Sequence, residues 1–165
     1  RRVDAPADVW DSFMESQGRK GGAILTVEPR AIPPEYIRRK LRIGKGDPAV
    51  RRHRIRLVDG EKWMISTGWW PLWLAEGTPI EGDGSCSPLS LSITYGHGQA
   101  WSEAEIGARM PSGGEADALD TGRGVPVMEM HTTGFNKEGQ PIRCTHDVIP
   151  SHRFLLVVQR EWAEQ

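Results

Sequence analysis

The stretch "PAVRRHRIRLVDGEKWMISTGWW", residues 48–70, constrains the fold more than any other. Asp59-Gly60 lies between two alternating runs, which is a strong hairpin signal. Its register decides which side chains share a face. A two-residue loop opposes Leu57 to Lys62 and Ile55 to Met64, leaving Trp63 and Ile65 beside Arg56 and Arg54. A three-residue loop with a bulge at Gly60 opposes Leu57 to Glu61 and Ile55 to Trp63. It gathers Ile55, Leu57, Trp63 and Ile65 on one face, and Arg52, Arg54 and Arg56 with Lys62, Met64 and Ser66 on the other. A buried face penalises a one-residue slip. The bulged hairpin is therefore expected, with a non-core arginine face.

The remaining elements follow from period and punctuation. "AILTVEPR" reads as a strand. "IPPEYIRRKLRIGKG" reads as a helix, with Pro34 in its first turn, Ile37 and Leu41 on one face and Gly44 at a left-handed stop. Arg38, Arg39, Lys40 and Arg42 then lie outside as solvated charges. "LWLAEGTPI" is a short helical turn, and Ser87-Pro88 caps a helix over "PLSLSITYG". In 99–110, Trp101, Glu103 and Glu105 alternate with Ser102, Ala104 and Ile106, which predicts a strand. Ser112 and Glu115 are spaced as a capping box. "VPVMEMHTTGF" and "PIRCTHDVI" are strands around the turn "NKEGQ". The apolar run "RFLLVVQ" suits a strand buried on both sides, in the sheet centre or at a subunit contact. This order predicts an α+β domain, a mostly antiparallel sheet flanked by helices. Residues 1–18 read as a connector or arm and 19–165 as the domain.

Composition narrows the function. Lys+Arg total 21 and Asp+Glu 22 in 165 residues, a net charge of -1. Such a chain has no overall attraction to nucleic acid or an anionic membrane, so the arginine run is local chemistry. No apolar run is long enough to span a bilayer and no export leader is seen, which together predict a cytoplasmic location. Cys86 and Cys144 are expected as reduced thiols. The opening Arg1 suggests a piece of a longer protein. His146, Asp147 and His152 fit no standard metal spacing, so no metal is expected, and no cofactor.

The segment "GDPAVRRHRIRLVDGEKWMISTGWWP", followed by "LAEGTPI", resembles the signature of the UTRA domain, the effector-binding domain of the HutC branch of GntR-type transcription regulators. "EAEIGARMPSGGEADAL" and "GVPVMEMHTTGFNKEGQPIRCTHDVIPSHRF" resemble its later motifs in the same order, from about Gly22 to Val158. The resemblance implies a chorismate lyase-like fold, a ligand cavity and homodimerisation. It also implies that a whole regulator holds operator DNA through an N-terminal winged helix-turn-helix, which this chain lacks, while this domain senses a small-molecule effector.

By the same resemblance, Arg54 and Arg56 match effector-binding positions of the amino-sugar type, and arginine's planar fork suits carboxylate or phosphate. Ser66 stands where those members carry a carboxylate, and Leu89 where they carry a tyrosine. Both departures point to something less polar than an amino-sugar phosphate. Ser87 matches a serine at a helix start, where free N–H groups favour an anion. His146 lies near a position that closes the pocket from the last hairpin. Blander readings stand beside these: a solvated arginine face, an ordinary N-cap, Glu103 and Glu105 as a solvated edge, Trp69 and Trp70 as core or dimer contact. The leading expectation is a non-catalytic effector-sensing and dimerisation domain for a small, anionic metabolite. The alternatives are a chorismate lyase-like enzyme and a nucleic-acid binder acting through "RRHRIR".

Overall fold

The computed structural model describes residues 2–4, 9–82 and 96–158. Its elements are Arg2–Asp4 (β1), Val9–Ser16 (α1), Gly21–Ala31 (β2), Glu35–Leu41 (α2), Ala49–Val58 (β3), Glu61–Pro71 (β4) and Leu72–Ala75 (α3), then a 3-10 turn at Pro79–Glu81. Trp101–Arg109 (β5), Gly113–Ala118 (α4), Val127–Phe135 (β6) and Pro141–Pro150 (β7) follow, with a last 3-10 turn at Ser151–Arg153. The strands form one sheet in the order β1-β2-β3-β4-β7-β6-β5, every neighbouring pair antiparallel. β4 is thus the middle strand.

Helices cover both faces. On one, Ile37 and Leu41 of α2 pack with Ala49, Trp69 and Cys144, and Leu119, just after α4, packs with Ile65, Val127 and Val148. On the other, Leu74 and Ala75 of α3 and Ile80 pack with Val50 and Trp70. Trp69 and Trp70, adjacent in sequence, are therefore both core residues on opposite sides. α1 joins the face of Trp70. Its Met14 is buried, and the Trp10 indole N–H donates to the Leu57 carbonyl at 3.1 Å. Residues 9–16, expected as part of an arm, thus dock on the sheet.

The hairpin differs from expectation in detail. Asp59 and Gly60 both take positive φ, 51° and 85°, as a two-residue type I′ turn requires. Asp59 fixes this turn to the start of β2, its carboxylate accepting from Arg19 Nε and Lys20 N, each at 2.8 Å. Val58 pairs with Glu61 and Leu57 with Lys62, and the bulge lies further along, so that Arg56 pairs with Met64 and Ile55 with Ile65. Trp63 is the extra residue. It turns with Met64 into a groove under Trp10, Phe13 and Met14, rather than joining Ile55, Leu57 and Ile65. A bulge was needed to bring like side chains together, and a turn with two left-handed residues left it no place at Gly60.

Two further expectations change. α2 stops at Arg42, φ 54°, whose N–H caps the Arg38 and Arg39 carbonyls, rather than at Gly44. The run after Arg153 does not enter the sheet. Leu155 and Val157 are 84% and 78% exposed, because β4 already fills the centre and β7 has partners on both edges. The third strand of the expected meander is absent among the described residues. The strand at 101–109 and the capping box are as expected: Ser112 accepts from Glu115 N–H at 3.2 Å, and Glu115 accepts from Ser112 N–H at 2.8 Å. Ser87, Leu89 and Cys86 lie outside the described residues. Among the described residues, no helix is long and apolar enough to cross a membrane.

Two predictions follow from this packing. A Cβ on Gly68 would stand 2.4 Å from two ring carbons of the buried Trp70. Gly68→Ala should therefore lower stability by about 1–3 kcal/mol, the usual cost of overpacking, read from urea unfolding. The second concerns Glu115, whose carboxyl is pulled from its ordinary 4.5 to about 2, first by the Arg109 fork and against burial. A depressed carboxyl stabilises fully above pH about 4.5, and that contribution is lost as pH falls toward about 2. The stability gap between wild type and Glu115→Gln should close across that window in unfolding curves at stepped pH.

Candidate functional site

Strand alternation divides the arginine run. In β3 the odd residues face α2 and the even ones face α1 and α3. Arg51 turns to the α2 side, where it pairs with Glu28. Arg52 turns the other way and is 0% exposed. Its Nη1 donates to the carbonyls of Ile80 at 2.8 Å and Pro79 at 3.3 Å, and to that of Gly82. This charge-assisted clamp holds the 3-10 turn after α3 against the sheet, so Arg52 is committed to structure.

Arg54 and Arg56 share Arg52's face. Arg54 is directly opposite Ser66, and Ser66 is directly opposite Asp147 on β7. The row Arg54–Ser66–Asp147 thus crosses three central strands. Arg54 and Asp147 are buried, at 7% and 8% exposure, so neither reaches into bulk water. Burial pushes the Asp147 carboxyl above its ordinary value, while the Ser66 hydrogen bond and then the Arg56 charge pull it back. The Arg56 guanidinium lies 5.9 Å from the Trp10 ring of α1.

The opposite face holds a cleft of about 600 Å³ beneath α2, lined by Tyr36, Arg51, Thr67, Trp69, Glu105 and the histidines 131 and 146. His146 pairs with Thr67 and with His131. It therefore points away from Arg54, Arg56 and Ser66, and cannot close a pocket with them. Asp147, one residue along, takes the arginine side instead. Sequence reading missed this role for Asp147, although its two-residue spacing from Thr145 and Arg143 shows that these three share a face. Only register shows which face.

The cleft is rich in carboxylates and imidazoles. The Tyr36 hydroxyl donates to Glu105, and Lys40 donates to the same carboxylate at 2.8 Å. These bonds hold Glu105 below the ordinary carboxylate range, Lys40 first, and burial with Glu105 pushes Tyr36 up. Glu105 is exposed on the edge strand β5, as expected of a solvated edge, and it meets Lys40 across the cleft. The His131 and His146 rings stack at 4.2 Å, 8° from parallel, and Tyr36 meets His131 edge-on at 4.7 Å. Glu129 Oε1 lies 2.8 Å from His146 Nε2, 3.5 Å from His131 Nε2 and 3.1 Å from Arg109. Burial works to raise the Glu129 carboxyl, but His146 and Arg109 outweigh it and hold it low. Burial, then the His146 charge, pushes His131 down.

Solved structures share this architecture. PhnF from Mycobacterium smegmatis superposes with a TM-score of 0.81 at 16% identity, over 94% of this chain and 69% of that one. The isolated effector domain of PhnF gives 0.79 at 17% identity, over 95% and 99%. The C-terminal domain of Yurk from Bacillus subtilis gives 0.67 at 23% identity, over 78% and 87%. These likenesses establish the expected α+β, chorismate lyase-like fold. No curated protein sequence matches this chain. The UTRA domain model matches residues 16–154, and on that extent of match this chain belongs to the UTRA domain family.

Proposed function

We propose that this domain senses an effector for a GntR-type transcription regulator of the HutC class, acting in the cytoplasm as a homodimer and without catalysis. Its site is the arginine face, where Arg54, Arg56 and Ser66 are joined by Asp147, with Ser87 and Leu89 as further contacts. The ligand is a small metabolite with a carboxylate or phosphate for the two guanidinium groups. It also carries a hydroxyl or amine that the buried Asp147 carboxyl accepts from. The row Arg54–Ser66–Asp147 carries this reading, because a guanidinium and a carboxyl held buried at its two ends recognise a bipolar molecule in a way that a solvated strand face cannot. His146 belongs to the cleft under α2, on the opposite face of the sheet.

Transmission follows from α1. Trp10 touches both the Leu57 carbonyl and the Arg56 side. A ligand that reorients Arg56 therefore acts on α1, the helix nearest the start of the chain. The winged-helix domain of the whole regulator holds operator DNA, and the effector changes affinity by favouring one arrangement of its two copies. The exposed apolar run Leu155, Leu156, Val157 and Val158 supports the dimer, since such a patch asks for a partner surface.

Calorimetric titration with sugar phosphates and small carboxylates tests the site. Arg54→Ala and Arg56→Ala should each weaken the best binder by ~10- to 100-fold, the worth of a charge-assisted hydrogen bond. Thermal unfolding of both variants serves as the folding control, with Arg54→Lys as the conservative variant. Equal affinity in all of them would reject the site, and release of 4-hydroxybenzoate from chorismate would reveal an enzyme. Sedimentation should show a dimer that Leu155→Asp with Val157→Asp weakens.

A further inference from the structure

The cleft under α2 stands apart from the proposed effector site and has its own chemistry. Glu129 and His131 alternate on β6, and His146 on β7 is the direct cross-strand neighbour of His131. One ligand atom from each of these three residues can be chosen so that all lie within 4.8 Å of one another. We propose that Glu129, His131 and His146 bind a divalent transition-metal ion of the zinc type, with a coordination position left open toward the cleft.

Three observations carry this. The donor set, two imidazoles and one carboxylate, is the set that Zn²⁺ takes when three protein ligands leave a fourth position for water or a ligand oxygen. Imidazole with carboxylate also favours first-row transition metals over Mg²⁺ or Ca²⁺. Second, the group is only half-satisfied by protein. His131 Nδ1 is buried without a hydrogen-bond partner among the described residues, and the two imidazoles and Arg109 converge on one oxygen of Glu129, leaving Oε2 out of these contacts. Third, the surrounding charge suits a cation. Glu28, Glu105, Glu115 and Glu129 outnumber Arg51, Lys40 and Arg109; Glu28 pairs with Arg51, and Glu115 occupies both Nη groups of Arg109 at 2.7 Å.

Nearly parallel rings direct their lone pairs side by side rather than to one point. Binding therefore swings one imidazole out of the stack, into the adjoining cleft. The His146 contact with Glu129 is exchanged for a bond to the metal. Its spacing escapes a reading of sequence because the ligands are split between two strands. Their proximity is a property of the β6–β7 register.

The test is titration of untagged, metal-stripped protein with Zn²⁺, and with Co²⁺ for its visible spectrum. One ion per chain should bind, with cobalt bands of a four-coordinate nitrogen and oxygen site. His131→Ala, His146→Ala and Glu129→Gln should each weaken Zn²⁺ binding by well over ~10-fold, a loss that even outer-shell partners of metal sites produce. His97→Ala and His152→Ala should leave it unchanged. If a ligand variant fails to fold, imidazole NMR of the wild type decides: Zn²⁺ should shift the ring signals of His131 and His146 alone. Stoichiometric binding that survives all three ligand variants, shifts confined to His97 or His152, thiolate-to-cobalt bands from Cys144, or no binding would each overturn the proposal.

Discussion

The pairing of β3 with β4 is the constraint on which the rest of this structure depends. A type I′ turn at Asp59-Gly60 sets the first pairs, and the bulge at Trp63 shifts the strand by one residue before Ile55 meets Ile65. Without that shift, Arg54 and Arg56 would share a face with Ile65, and guanidinium groups would stand in the apolar layer under α4. Because β4 is the middle strand, its register passes directly to β7 and then to β6 and β5. Ser66 finds Asp147, Thr67 finds His146, and His131 finds Glu105 through the same chain of pairings.

One hairpin thereby sorts two chemistries onto opposite sides of one sheet. Among the described residues, the α1 side gathers arginines around the buried carboxyl of Asp147. The α2 side gathers carboxylates and imidazoles beneath Tyr36 and Lys40. Backbone thickness separates them sterically but not electrically: the charge of His146 pulls on the carboxyl of its chain neighbour Asp147, which faces the other way. Charge placed in the cleft is therefore felt in the arginine row. Arg52 shows that membership of the basic run says nothing about role, since its Nη1 is bonded to carbonyls of the 3-10 turn.

Elements specified by short-range chemistry were legible in the residues. The Ser112–Glu115 capping box and the alternation of Trp101, Glu103 and Glu105 need no distant partner, and both stand where the pattern puts them. The α2 stop was misplaced because Arg42 entered the left-handed region with two carbonyls to cap, a choice glycine content does not reveal. The run "RFLLVVQ", residues 153–159, reads as a strand buried in the sheet centre or at a subunit contact because hydrophobicity reports a need for cover without saying which surface supplies it. In this chain the sheet centre is already occupied.

The sequence by itself determined which elements exist, their order, the family they belong to and the basic character of the β3 strand. These rest on caps, turns and alternation, whose physical range is a few residues. Only the tertiary structure decided which side of β7 meets the arginines, exchanging His146 for Asp147, and which histidines stack. Alternation within a strand says which side chains share a face. It cannot say which face a neighbouring strand presents, because a single bulged residue reverses that relation, and bulges are settled by packing against helices far away in the chain.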